Sequence, residues 1–129
     1  MMKIAVEISP GELVDRTTIL RLKNERIADP AKRELVRAEL TRHEQLVASL
    51  AWDDALQTLR DQLFAINARL WDIEEDIRAC ERARDFGPDF VELARAVYVT
   101  NDKRAATKRA IDQHLGSTIS EVKSYTGAR

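Results

Sequence analysis

The sequence has a single cysteine, Cys80, in 129 residues, which rules out an intrachain disulfide and a cysteine-cluster metal centre. Four glycines and three prolines are too few for a loop-rich, repeat or collagen-like architecture. No uncharged apolar run approaches the ~18 residues of a membrane span. Residues 1–12 carry one basic residue and no long apolar stretch, so they do not resemble a signal peptide. These absences point to the cytoplasm. An excess of positive charge is also missing. Twenty-one basic residues stand against twenty-two acidic ones, a net charge of −1, where a general nucleic-acid binder shows more. The aromatics are few and do not alternate with basic residues as single-strand binders require.

What is present is a chain with 44% hydrophobic and 33% charged residues, the mixture of a folded soluble protein and the length of one domain, 1–129. Its charge is unevenly spread. Residues 50–81 hold eight acids and three bases, whereas residues 99–129 hold six bases and three acids. Arginine outnumbers lysine fifteen to six, which favours fixed hydrogen-bonding forks at an interface or anion site.

Ile4, Val6 and Ile8 alternate with Lys3, Ala5 and Glu7, which predicts a short strand over 3–8. Ser9-Pro10-Gly11-Glu12 then opens a helix over 10–27, with Ser9 as cap and Pro10 in the first turn. Asp29-Pro30 ends it and starts a second helix over 30–50, where Val36, Leu40, His43, Val47 and Leu50 share a stripe. The strongest periodicity follows. Trp52, Leu56, Leu59, Leu63, Ile66, Leu70, Ile73, Ile77 and Cys80 keep a strict 4-3 alternation with no charge, a coiled-coil-type seam on a helix over 53–84. The phase breaks between Leu50 and Trp52. Residues 30–84 are thus either one helix that changes face or a hairpin, with Asp53 or Asp54 capping its second arm. Phe86-Gly87-Pro88 interrupts the chain, and helices over 89–99 and 102–115 follow, separated by Thr100-Asn101-Asp102 read as a cap and closed by Gly116. β-Branched residues at 118, 119 and 122 predict a second strand over 118–125 beside the first. The expected fold class is mainly α: an elongated helical bundle or coiled-coil hairpin with a small strand pair. A helix of about 43 Å exceeds the ~36 Å diameter of a compact domain of this size. The uncovered seam of Trp52, Leu56, Leu59, Leu63, Ile66, Leu70, Ile73 and Ile77 therefore predicts a homodimer interface.

Chemistry-bearing patterns are sparse. His43 and His114 stand apart, and no paired metal-ligand spacing includes either. Asp72, Glu75 and Asp76 share a helix face, but no second carboxylate set is evident, so neither a metal nor a cofactor is expected. Arginine is so common that the Arg37–His43 and Arg109–His114 spacings carry no nuclease signal. Cys80, on the seam, reads as an inert buried thiol. The most distinctive polar group is Asn101, Asp102, Lys103 and Arg104, followed by Lys108 and Arg109. Cations in the first turn of a 102–115 helix oppose its dipole, and Arg104 and Lys108 repel at i, i+4, so a compensating anion is expected. That anion is a phosphate, a sugar nucleotide or the carboxylates of the acidic 53–84 helix. Arg95, Tyr98, Lys123 and Tyr125 are expected near the same end.

Four ordered motifs span nearly the whole chain: Ile8-Ser9-Pro10-Gly11-Glu12-Leu13-Val14-Asp15, Leu70-Trp71-x-Ile73-Glu74-x-Asp76-Ile77-Arg78, Tyr98-x-Thr100-Asn101-Asp102-x-Arg104-Ala105 and Glu121-x-Lys123-Ser124-Tyr125. Together they resemble a small bacterial domain family of unknown function. Its members occur alone or joined to repeat or glycosyltransferase-like segments in surface-polysaccharide contexts. The resemblance implies that Pro10, Gly11, Glu12, Asp15, Lys23, Trp71, Asn101, Asp102, Arg104, Lys123 and Tyr125 are family-typical, and it attaches no activity to them. Thr17 and Thr18 depart from the pattern, which has one more apolar residue there.

Two main expectations result. The first is a helical binding or scaffold protein, homodimeric through its long helices and accessory to a sugar-nucleotide or polysaccharide pathway, with a protein partner there. The alternative is a small enzyme or ligand-binding protein for a phosphorylated substrate, with Asp15, Lys23, Asn101, Asp102, Arg104, Lys108 and Lys123 as its binding residues. Its supporting feature is convergence of Asp15, Lys23, Asn101, Asp102 and Arg104 on one cleft. RNA binding is disfavoured and would need a continuous basic stripe from Arg95 to Lys123.

Overall fold

The structure, a computed structural model, describes residues 2–117. Four helices follow one another: α1 (Pro10–Arg26), α2 (Pro30–Val47), α3 (Asp54–Arg82) and α4 (Pro88–His114). Their starts follow local chemistry. Ser9 accepts a hydrogen bond from the Glu12 amide and precedes Pro10. Asp29 accepts from the Ala31 amide ahead of Pro30. Asp53 accepts from the Leu56 amide at 2.8 Å. Each cap satisfies an amide that the first helical turn leaves unpaired. α2 and α3 are therefore separate helices, and a turn over residues 48–53 resolves the phase break at Leu50. The Trp52 indole N–H closes that turn by donating to the Val47 carbonyl at 2.8 Å.

α1, α3 and α4 form a packed trio, and α2 lies against α1 alone. α3 and α4 run antiparallel. A short connection joins them at one end, and at the other His114 Nε2 lies 2.8 Å from the Asp53 carboxylate. α1 is parallel to α3 and antiparallel to α4, because Gly11 meets Asp112 at one end and Arg26 meets Asp72 at the other. Sandwiched between α2 and the other two helices, α1 is buried on several sides. Thr17 and Thr18 are therefore interior, and their hydroxyls donate to the Leu13 and Asp15 carbonyls of their own helix. The apolar core is centred on Val14, Leu56, Leu63 and Ile111, with Leu50, Trp52, Leu59 and Leu115 around it.

Several expectations from the sequence are corrected. Among the described residues there is no β-strand, so the fold is a four-helix bundle without a strand pair. The 3–8 segment is irregular and lies on the surface, with Ile4 80% exposed. Its alternation has no neighbouring strand to bond, and a lone strand does not stand in water. The strand expected over 118–125 lies outside the described residues.

The helices expected over 89–99 and 102–115 are one helix, α4. Thr100, Asn101 and Asp102 have capping side chains but no glycine or proline beside them, and the inward-facing stripe continues through a buried Thr100. Packing overrides the local preference. The same correction removes the elongated hairpin and the need for a second copy. With 27 residues, about 40 Å, α4 matches the length of α3 and covers it. Of Trp52, Leu56, Leu59, Leu63, Ile66, Leu70, Ile73 and Ile77, none is exposed: Leu56, Leu63 and Ile73 are fully buried and the others half-buried within this chain. The seam is thus an internal surface of the bundle.

Candidate functional site

One turn along the bundle from the apolar core, the inward positions become polar. Asp15 of α1 is 0% exposed. Its carboxylate accepts from Arg104 Nε at 3.0 Å and Nη2 at 2.5 Å, a two-point fork across the α1–α4 interface. Asn67 of α3 donates from Nδ2 to Asp15 Oδ1 at 2.9 Å and to Thr18 Oγ1 at 2.8 Å. Lys108, one turn beyond Arg104, is buried. Its Nζ lies 2.5 Å from Glu12 Oε2 and 3.8 Å from Asp15 Oδ2. Two carboxylates of α1 thus face two cations of α4, with a carboxamide of α3 completing the group.

The compensating anion expected for Arg104 and Lys108 is therefore supplied by α1 rather than by the acidic face of α3. The dipole conflict also disappears, because both cations lie well inside a helix that begins at Pro88. The pairing is visible in the acid strength of Glu12. Burial pushes its pKa up, but hydrogen bonds from Lys108 and Arg16, together with their charges, prevail and hold the carboxyl below its ordinary value.

The approach of α1 to α4 requires Gly11. Its amide donates to Asp112 Oδ1 at 2.7 Å. A β-carbon at this position would collide with the Lys108 carbonyl oxygen and stand 2.9 Å from Asp112 Oδ1. Asp112 is buried against the positive end of α1, and its second oxygen has no hydrogen-bond partner among the described residues. Gly11 and Asp112 set the depth at which Asp15 meets Arg104.

Beside this group a cavity of about 390 Å³ opens among α1, α3 and α4. Asn67 and Leu22 are its most buried lining residues, and Ile19, Leu70 and Trp71 form half-buried walls. Arg104 and Asn101 contribute from α4, and Glu74, Glu75 and Arg78 stand exposed on the rim. The Arg26 guanidinium lies 5.7 Å from the centre of the Trp71 ring and also binds Asp72 at 2.8 Å, which braces that wall from α1.

Of the expected binding residues, Asp15, Arg104 and Lys108 form one contiguous group, and Asn101 lines the same cavity as Arg104. Lys23 and Asp102 are half-buried and are not among its lining residues. Lys123 lies outside the described residues. Lys108 points inward, so the basic stripe that RNA binding would need does not run through it. Asn67 was not anticipated; the available signal was a lone carboxamide flanking the apolar seam, one turn after Leu63. Glu12 and Trp71 are among the residues that the motif resemblance marks as typical, without a role; the structure places Glu12 on Lys108 and Trp71 in the cavity wall.

Elsewhere, Cys80 is half-buried rather than buried, and desolvation raises the pKa of its thiol, with Asp85, Asp89 and Asp76 adding to the effect. Among the described residues no three histidine, cysteine or carboxylate side chains gather as a metal site. No helix of the described residues is long and apolar enough to cross a membrane. Comparison of the chain with protein-family models, with curated proteins and with solved structures gives no match in any of the three. Nothing in these comparisons bears on the surface-polysaccharide context implied by the motif resemblance.

Proposed function

We propose that the protein binds a small phosphate-bearing molecule in the cleft among α1, α3 and α4, with Arg104 as the principal contact and Asn101 beside it. One observation carries this reading: Arg104 lines the cavity with its side chain 29% exposed, while the fully buried Asp15 holds its fork from behind. Within the Arg104–Asp15 pair the charges are separated in depth, so a ligand in the cleft meets the guanidinium first and the Asp15 carboxylate only through it. The Lys108–Glu12 pair is ordered the other way, with the ammonium the more buried partner. A guanidinium fixed in this way loses little freedom on binding an anion, and its planar donors match phosphate oxygens. The volume falls within the usual range for small-molecule sites, and apolar walls around a few convergent polar groups are their usual composition.

The reading is preferred to a dimeric scaffold because no seam residue is left exposed for a second copy, whereas the cleft presents a held guanidinium at its opening. Titration of the protein with phosphate monoesters, followed by amide chemical shifts, tests it. Residues on both sides of the cleft, including Leu70, Trp71, Asn101 and Arg104, are expected to shift together and saturably. Asn101→Ala removes a half-buried side chain outside the ion-pair group and is expected to weaken binding about tenfold without unfolding the protein. Shifts scattered over exposed arginines, or an unchanged affinity in Asn101→Ala, would refute it.

A further inference from the structure

We propose, resting on the cleft reading above, that the ligand carries an amine as well as a phosphate, so that it bridges the α4 and α3 sides of the cleft as a zwitterion. The two sides have opposite hydrogen-bonding character. On α4, Arg104 offers a cationic donor. On α3, Asn67 spends its Nδ2 on Asp15 and Thr18, which leaves its Oδ1 as the atom for the cleft. Asn67 is only 5% exposed, and that oxygen accepts no hydrogen bond among the described residues. An acceptor that faces the cleft marks the α3 side as the side for an N–H or O–H of the ligand, which a phosphate monoester dianion lacks.

The rim repeats the pattern. Glu74 is shared with Arg78 at 3.4 Å, whereas Glu75 makes no ion pair among the described residues while lining the cavity. Asn67 and Glu75 are eight residues apart on one helix, about 12 Å along its axis. A ligand that satisfies Arg104, level with Asn67, and also reaches Glu75 therefore separates its phosphate and amine by about two helical turns.

The experiment uses the full chain and four probes: inorganic phosphate, hexyl phosphate, 6-aminohexyl phosphate and the short O-phosphoethanolamine. Affinities are measured by calorimetry at low and high salt. The aminohexyl ester is expected to bind about threefold more tightly than hexyl phosphate, the scale of an exposed ion pair, and to lose that advantage in ~0.5 M salt. In Glu75→Gln, an exposed position outside the packed core, the advantage of the aminohexyl ester should disappear, and hexyl phosphate should bind at least as tightly as to the unsubstituted chain because a rim carboxylate is gone. Phosphoethanolamine, too short to reach Glu75 from Arg104, should bind no more weakly to Glu75→Gln than to the unsubstituted chain. Equal binding of both hexyl esters to the unsubstituted chain, or an advantage that survives Glu75→Gln, would overturn the zwitterion while leaving the phosphate site standing. Failure of every probe to bind would overturn both readings.

Discussion

The interface of α1, α3 and α4 is built on opposite principles in two adjacent layers. In one, Val14, Leu56, Leu63 and Ile111 meet through fully buried aliphatic side chains. In the next, the inward positions are taken by Asp15, Asn67, Arg104 and Lys108, and contact becomes directional: a fork, a carboxamide and an ammonium, each with a specified acceptor. Aliphatic contact stabilises in proportion to area and tolerates small changes of angle. A buried ion group contributes little net stability, because desolvation offsets attraction, yet it penalises any arrangement that leaves one member unpaired. The apolar layer holds the bundle together; the polar layer fixes how α1 and α4 are placed, and the open cleft lies against that polar layer.

The sharpest way to break this contrast is to remove one member from each layer. Asp15→Ala removes the buried carboxylate that the Arg104 fork binds and is expected to cost about 3–5 kcal/mol in urea unfolding. Leu63→Ala should cost a similar ~2–5 kcal/mol through cavity formation. The layers then diverge under joint replacement. Asp15→Leu combined with Arg104→Met should recover most of the loss, because no unpaired charge remains, while phosphate binding is abolished. A joint variant as unstable as Asp15→Ala would mean that the ion group contributes net stability after all.

Next in size is the α1–α4 crossing. Gly11→Ala drives a methyl group into the Lys108 carbonyl and should cost about 1–3 kcal/mol, with perturbed amide shifts at Asp112 and Arg104. Acid should act more gradually. The Asp53 carboxyl is held below its ordinary value by the Leu56 amide and then by His114, and Glu12 is lowered despite its burial. Both bind protons more weakly folded than unfolded, so their contribution is present above their unfolded pKa values and lost as pH falls through the folded ones. Urea midpoints should therefore decline below about pH 4, and less steeply in a Glu12→Gln, Asp53→Asn double variant. The smallest expected effect is a gain. Arg84 follows α3 in a left-handed conformation, φ 55°, so Arg84→Gly should stabilise by about 0.5–1 kcal/mol in the same assay.

The helix starts at Ser9 and Asp29 were legible in the sequence because they are local, each side chain capping a neighbour three or fewer residues away, whereas the start at Asp53 was one of two alternatives that local chemistry left open. The ladder from Trp52 to Cys80 was legible because periodicity is also local. Its partner was not. Thr100-Asn101-Asp102 imitates a helix start, and only contact with α1 and α3 carries α4 through it. That misreading split the helix that covers the ladder and produced the expected dimer. At the site, the cations of α4 announced a missing anion through their repulsion, but its source lay elsewhere. Asp15 and Arg104 are 89 residues apart, and no spacing rule links them. Asn67 was concealed for the same reason, since its role depends on Asp15 and Thr18.

The attachment of α2 to α1 alone has a consequence for how the molecule opens. Separating α2 breaks one helix–helix contact, whereas separating any of the other three breaks at least two. Amide protons of α2 should therefore exchange with solvent by partial opening, well before those at the centre of α3. Because α2 contributes no wall to the cleft, a molecule whose second helix has peeled away still presents Arg104, backed by Asp15, to its ligand.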